Sequence, residues 1–506
     1  MKDKFYNSLF LSFFLSFTII LFNCSSNDDN NNDDDETEIE EPITLDNEVN
    51  DFVWLGLNEI YLWQSEVPNL RDNKFIDNDA YYTFLNGYST PESLFDDLLY
   101  QKDVVDKFSF IVDDYVELEN SFSGTSKSNG LDFQLLKLSS SSDDVLGYVR
   151  YVANNSDAAT KDISRGDFFL TVDGEQLTVN NYYDLLFGSN DTYTLGMADI
   201  TDSSVYLNGK TVSLTKTEFT ENPILINKVI ETDGYKIGYL MYNQFIADFD
   251  EELNTVFSNF KAEGVTELVL DLRYNPGGYV SSAINLASMI TGQFTNQVFS
   301  KEIWNNKYQA YFEAYSPESL INNFTDTLSD ETSPISSLNL NKVYILATSS
   351  SASASELIIN GLSPYIDVIH IGTTTTGKYT ASVTLYDSSN FSKENANPNH
   401  KYAMQPLVYK SANANDESDY YDGLTPDYTI TYETSSGNVY EGENINNLGV
   451  LGDVSEPFLA KAIELITGAT SKLSKKDIKG IDAKILADSK DFTLLGKNMY
   501  KDFPVK

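Results

Sequence analysis

Between Tyr235 and Gly372 short apolar runs alternate with longer stretches of helical periodicity. YKIGYLMYNQF, TELVLDLRY, KVYILAT and DVIHIGT read as strands; DEELNTVFSNFKAEG, SSAINLASMITG and ASELIINGLSPY read as helices. That alternation dictates an α/β core with a mixed, partly parallel sheet. Ligands in such sheets gather beyond the carboxyl ends of the strands, so chemistry is sought there.

The flanking segments have other textures. Lys2 and Lys4 precede FYNSLFLSFFLSFTIILFNC, a charged start and an apolar run that stops at Cys24. This is the layout of a secretory signal; a single-pass anchor competes, but the run is barely long enough to span. Cys24 is the chain's one cysteine, and its setting resembles the lipobox of bacterial lipoproteins, which implies lipidation there. SSNDDNNNDDDETEIEEP follows, an acidic stretch unable to bury a core, which resembles surface-export signals of Bacteroidetes lipoproteins. We expect a signal peptide over 1–24, a tether over 25–45, a helical domain over 46–118, a β-rich domain over 119–218, a core over 219–467 and a tail over 468–506. In the helical domain Val49, Val53, Leu57 and Ile60 recur at helical spacing, Thr90-Pro91-Glu92 starts a second helix, and VVDKFSFIVDDYVELENSF is a third candidate. With 76 acidic against 34 basic residues the net charge is −42, which disfavours nucleic-acid binding.

SSSASASELIINGL, Ser349–Leu362, carries five serines in seven residues at a strand-to-helix junction. A polar connector and a helix cap are the ordinary readings. The other is a serine nucleophile at a helix start, where free N–H groups steady an oxyanion. Its base is open. Of two histidines, His370 lies in an apolar strand and reads as a core residue, and His400 lies in a polar loop. Lys378, among threonines and a glycine with no acid within seven residues, is a candidate for a base made neutral by burial. A third element, VLDLRYNPGGYV, ends a strand in Asn275-Pro276-Gly277-Gly278, whose glycines let backbone approach a ligand.

LVLDLRYNPGG, SASASE and GTTTTGK, in that order, resemble the tail-specific, or C-terminal processing, serine proteases. The resemblance covers about 119–467. It implies Ser353 as nucleophile, Lys378 as base, an oxyanion hole of Ala354 with Gly277 or Gly278, and no metal or cofactor. Many members have a glutamine four residues after the lysine that orients it; here Ser382 stands there and could take that part. Some have an aspartate eleven after the serine; here that residue is Pro364. SKSNGLDFQLL, ISRGDFFLTVDGEQL, NNYYDLLFG and GKTVSLTK resemble a PDZ domain, with Asn129, Gly130, Leu131, Asp132 and Phe133 as its carboxylate loop. The implied partners are proteins or peptides with exposed C-termini and, through the lipid on Cys24, a membrane. The implied location is the cell envelope, at an outer membrane facing the periplasm or the cell surface. Two alternatives remain: a catalytically weak peptide- or apolar-ligand-binding lipoprotein on the same fold, and a glycan hydrolase, for which no carboxylate pair stands out.

Overall fold

The computed structural model describes residues 42–138, 142–201, 204–329, 332–433, 437–469 and 483–503. The expected signal peptide, Cys24 and most of the acidic tether lie outside the described residues.

Asn47 caps α1 (Glu48–Ile60), accepting the Val49 N–H, and one face of the helix buries Val49, Val53, Leu57 and Ile60. Thr90 and Pro91 open α2 (Pro91–Asp97) as expected. The third helical candidate is not one helix. Asp106 accepts the N–H groups of Phe108 and Ser109 and turns the chain. The apolar, partly β-branched Phe-Ile-Val run then forms β1 (Phe110–Val112), paired with Ala403–Gln405, and Asp114 caps a separate α3 (Tyr115–Phe122).

The β-rich region contains β2 (Leu131–Lys137), β3 (Val145–Val152), β4 (Phe168–Val172), β5 (Thr192–Thr201) and β6 (Ser204–Thr215), antiparallel in that order. A short helix, Tyr182–Phe187, packs on this sheet.

The α/β core follows the expected alternation: β7 (Ile224–Thr232), β8 (Tyr235–Tyr242), α4 (Asp250–Glu263), β9 (Glu267–Asp271), β10 (Gly278–Tyr279), α5 (Val280–Thr291), β11 (Val298–Trp304), β12 (Lys342–Ala347), α6 (Ala354–Leu362), β13 (Asp367–Gly372), β14 (Thr380–Val383), β15 (Ala403–Gln405), β16 (Leu407–Asn413), β17 (Tyr428–Thr429) and α7 (Pro457–Thr467). The central sheet runs β7-β8-β9-β12-β13-β17, parallel except for β7 against β8. Alternate residues along each strand serve opposite faces. Leu240, Leu268, Leu270, Val343 and Ile345 pack with α4, α5 and α6; Tyr239, Met241, Val269, Tyr344 and Leu346 pack with α7. Both faces are covered there, so the inner parts of β8, β9 and β12 are apolar. Val49, Val53, Leu57 and Leu94 belong to the first of these clusters, so the N-terminal helices share the core of the sheet.

The tail supplies β18 (Lys484–Asp488), which adds to the edge of β2, and β19 (Met499–Lys501). β19 lies within a second sheet of order β10-β19-β14-β16-β11, which the short strand Ile321–Asn323 completes beside β11. Because helix and sheet share one core, Leu57→Ala should lower the stability of the whole chain by about 2–5 kcal/mol. Thermal unfolding followed by far- and near-ultraviolet circular dichroism should show one shifted transition; a separate early transition of the helices would contradict it.

Candidate active site

β12 delivers the chain to the serine run, and three of its five serine hydroxyls are pinned by hydrogen bonds. Ser351 Oγ donates to the Leu272 carbonyl (2.8 Å) and accepts the Thr348 N–H (2.9 Å). Ser355 Oγ donates to the Asn275 carbonyl (3.0 Å), which also accepts the Ala352 N–H (3.2 Å). Ser350 Oγ donates to Asp488 and accepts from Arg150 Nη1 (3.1 Å). These bonds lash the elbow to the end of β9. That strand end is fixed in turn by fully buried Arg273, whose guanidinium bonds Asp271 and Glu456. The run is thus a built turn and not a connector.

Ser353 differs from its neighbours. It is 0% exposed, and its Oγ has no hydrogen-bond partner. Its backbone sits at φ 62°, ψ −115°, just before α6 begins at Ala354. A non-glycine residue there carries strain of about 1–3 kcal/mol, which the surroundings must offset. Glu356 supplies much of the restraint. Its Oε2 accepts the N–H of Ser353 and of Lys378 (2.8 Å each); its Oε1 accepts the Gly377 N–H (2.6 Å) and the Thr375 hydroxyl (2.5 Å). Elbow and lysine turn therefore share one carboxylate oxygen. Burial pushes the Glu356 carboxyl up to about 7, while the donors favour its charged form. With four donors on two oxygens no lone pair is left for a proton, and we assign the carboxylate as ionised.

Lys378 is also 0% exposed, and burial pushes its pKa down to about 7. Asp106 and Glu356 pull the other way, and burial outweighs them. Phe108 lies over the amine, with its ring centre 4.9 Å from Nζ. Nζ donates to Asn498 Oδ1 at 2.7 Å. The one proton of Ser382 Oγ has two acceptors in reach, the same oxygen at 3.1 Å and the Met499 carbonyl at 3.2 Å, so Ser382 meets the lysine through Asn498.

Gly277 and Gly278 have φ of 112° and 136°. A Cβ on Gly277 would come within 2.5 Å of the Ser353 Cβ and 2.6 Å of the Asn498 carbonyl oxygen, so only glycine fits. Gly277 spends its N–H on Asn275 Oδ1 (2.9 Å). Ala354 is the first residue of α6, where an N–H has no intrahelical acceptor.

The five residues expected as a carboxylate loop start differently. Leu131, Asp132 and Phe133 already belong to β2. The N–H groups of Gly130 and Leu131 are spent on Ser128 Oγ and Asn129 Oδ1 (3.0 Å each), Phe133 N–H donates to Ser489 Oγ, and Asp132 pairs with Arg150. His370 is buried, with neither ring nitrogen partnered and its pKa lowered by burial. His400 does have a carboxylate, contrary to the local sequence: Nε2 lies 2.9 Å from Asp387 Oδ2. Among the described residues no histidine bonds Ser353.

Glu356, Phe108, Asp106 and Asn498 were not singled out from sequence. An acid three residues after a candidate cap is a visible signal for Glu356. The other three come from remote segments and had none.

Known proteins match this chain in sequence and in fold. The descriptions "Peptidase family S41" and "Peptidase S41 N-terminal domain" match residues 236–430 and 48–110. A carboxyl-terminal-processing protease of Picosynechococcus is 28% identical over 169 residues, 33% of this chain and 35% of that protein. A carboxy-terminal-processing protease of Bartonella bacilliformis is 24% identical over 242 residues, 44% of this chain and 47% of that protein. The match thus spans between a third and a half of these relatives. A crystal structure from Bacteroides fragilis, provisionally assigned to the S41 proteases, superposes with a TM-score of 0.63 at 24% identity. It covers 83% of this chain and 98% of that one, which shows the fold.

Two outcomes test the buried lysine. Because its folded pKa lies below its unfolded value, the unfolded chain holds the extra proton between about pH 7 and 10.5, and this group's contribution to stability rises across that window. Lys378→Met should therefore raise the Tm most at pH 7 or below, the gain shrinking as pH rises. Phe108→Ala should admit water and move the Lys378 titration upward from about 7, read by NMR of 15N-lysine-labelled protein.

Proposed function

Because the chain carries peptidase family S41 domains, we infer that it is a serine endopeptidase that hydrolyses peptide bonds in proteins recognised through their C-termini. The observation that carries this reading is one buried carboxylate, Glu356, that bonds both the strained backbone of Ser353, whose hydroxyl is unpartnered, and that of a lysine with its pKa pushed down to about 7.

In the proposed reaction neutral Lys378 takes the proton of Ser353 as Oγ attacks the substrate carbonyl. The N–H groups of Ala354 and Gly278 receive the developing oxyanion; Gly277, with its N–H committed to Asn275, shapes the approach. Each such donor is worth about 10² to 10³ in rate. Protonated Lys378 gives its proton to the leaving amine, and water then hydrolyses the acyl-enzyme with the lysine again as base. Glu356 holds nucleophile and base in register without touching substrate.

The β-rich region serves as a PDZ-like module in this reading. The edge of β2 where β18 now lies takes an extended peptide as an added strand, beside Asn129–Phe133. Cys24 anchors the chain by a lipid at the cell envelope. One observation favours the binding-only alternative: Lys378 Nζ bonds Asn498 and not Ser353.

The test is proteolysis of an unfolded protein with an apolar C-terminus by the chain and by Ser353→Ala and Lys378→Ala. Cleavage should rise as pH passes through about 7, where Lys378 loses its proton, and fall by about 10⁴-fold or more in either variant. Cleavage that survives Ser353→Ala would remove the serine from the mechanism.

A further inference from the structure

The described C-terminal residues 483–503 run past the serine elbow and the lysine turn. β18 adds antiparallel to β2, with Lys484 opposite Lys137 and Asp488 opposite Gln134. The Asp488 carboxylate meets Arg150 Nη1 at 3.0 Å and accepts from Gln134 Nε2. Ser489 Oγ accepts the Phe133 N–H at 3.1 Å. The Phe492 ring lies on the Tyr182–Phe187 helix, 4.4 Å from the Phe187 ring centre. The chain then enters the second sheet as β19, parallel to both neighbours, with Met499 opposite Gly278 and Tyr500 opposite both Tyr279 and Ser382.

Asn498 completes the occupation. Its carbonyl oxygen lies in the gap beside Gly277 and the Ser353 Cβ, and its side-chain oxygen takes the Lys378 amine. Asn498, Met499 and Tyr500 are buried, and with them in place Ser353 and Lys378 have no exposed surface. A substrate cannot reach the serine while this strand is present.

We propose that residues 484–503 are an intramolecular occupant of the peptide channel, an internal inhibitor that an extended substrate must displace. The inference rests on the peptidase reading for its effect on rate, and on geometry alone for its effect on binding. The channel has two stations: the β2 edge with its helix, and the slot between β10 and β14. The tail shows the chemistry each accepts: an acidic side chain reaching Arg150, an aromatic ring on the short helix, and an extended apolar strand at the serine. The backbone carbonyl of Asn498 sits beside the nucleophile, yet the base is held on the Asn498 side chain and away from Ser353. The strand therefore occupies the cleft in an unreactive arrangement.

Three preparations test this: the full chain, a chain ending at Asp482, and full-length Phe492→Ala, which weakens the docking at a half-buried position. A synthetic peptide of residues 484–503 is the ligand. The shortened chain should cleave unfolded protein with kcat/KM raised about tenfold or more, as expected when the open form is a minor population. Phe492→Ala should be raised several-fold, and the peptide should inhibit the shortened chain competitively. If the shortened chain keeps its circular dichroism but loses activity, and the peptide restores it, Asn498 is part of the machinery and the proposal is overturned. If the shortened chain does not fold, Phe492→Ala decides: unchanged or lowered activity overturns it. If no form cleaves, the peptidase reading fails by itself. Fluorescently labelled peptide on the shortened Ser353→Ala chain, or in that event on full-length Phe492→Ala carrying Ser353→Ala, then decides occupancy; saturable binding supports it and none overturns it.

Discussion

The Glu356 carboxylate accepts four hydrogen bonds, from Ser353, Lys378, Gly377 and Thr375, in a place with no exposed surface. One of those donors belongs to the serine elbow and the other three to the lysine turn. A buried carboxylate is costly unless every acceptor position is used, and here each is. The same bonds hold Ser353 in a left-handed backbone conformation that it would otherwise leave. The charge also acts on Lys378 through space, favouring its protonated form. Burial is the larger effect, and the amine ends near neutrality. Orientation at the site thus depends on one side chain that never meets substrate.

Burial of the lysine is a property of the whole fold. Tyr61, at the end of α1, donates to Asp106; Asp106 turns the chain so that Phe108 lies over the Lys378 amine. α1 is in turn packed into the cluster under the central sheet. A segment that carries no reactive group therefore closes the lysine off from water. Its physical task is to make a primary amine a usable base near pH 7.

The sequence is most legible where periodicity is long and local. The strands and helices from Tyr235 to Gly372 follow their apolar pattern, because a sheet covered on both faces leaves few alternatives. Ser353, Lys378 and the glycine turn were legible as a constellation, and the structure places them at the ends of β12, β13 and β9. VVDKFSFIVDDYVELENSF was misread because two aspartates, Asp106 and Asp114, punctuate it, and side-chain caps outweigh average propensity. The residues on either side of Lys378, Phe108 and Asn498, could not be read. They come from segments remote from the lysine: Phe108 from the run read as a helix, and Asn498 from the tail. The Ser382 hydroxyl, expected to meet the lysine, bonds Asn498, a residue of the tail that offered no visible chemistry.

The account turns on Lys378 acting as a neutral base for Ser353. Acylation of Ser353 by a small serine-directed reagent, followed by intact mass and peptide mapping across pH 5 to 9, reads that pairing without any protein substrate. The account predicts one label per chain, on Ser353, with a rate that climbs through about pH 7 and vanishes in Lys378→Met. Because the tail covers the serine, labelling should be faster in the chain that ends at Asp482. Labelling of Ser353 that ignores both pH and the lysine, or label found on another serine of the run, would contradict it.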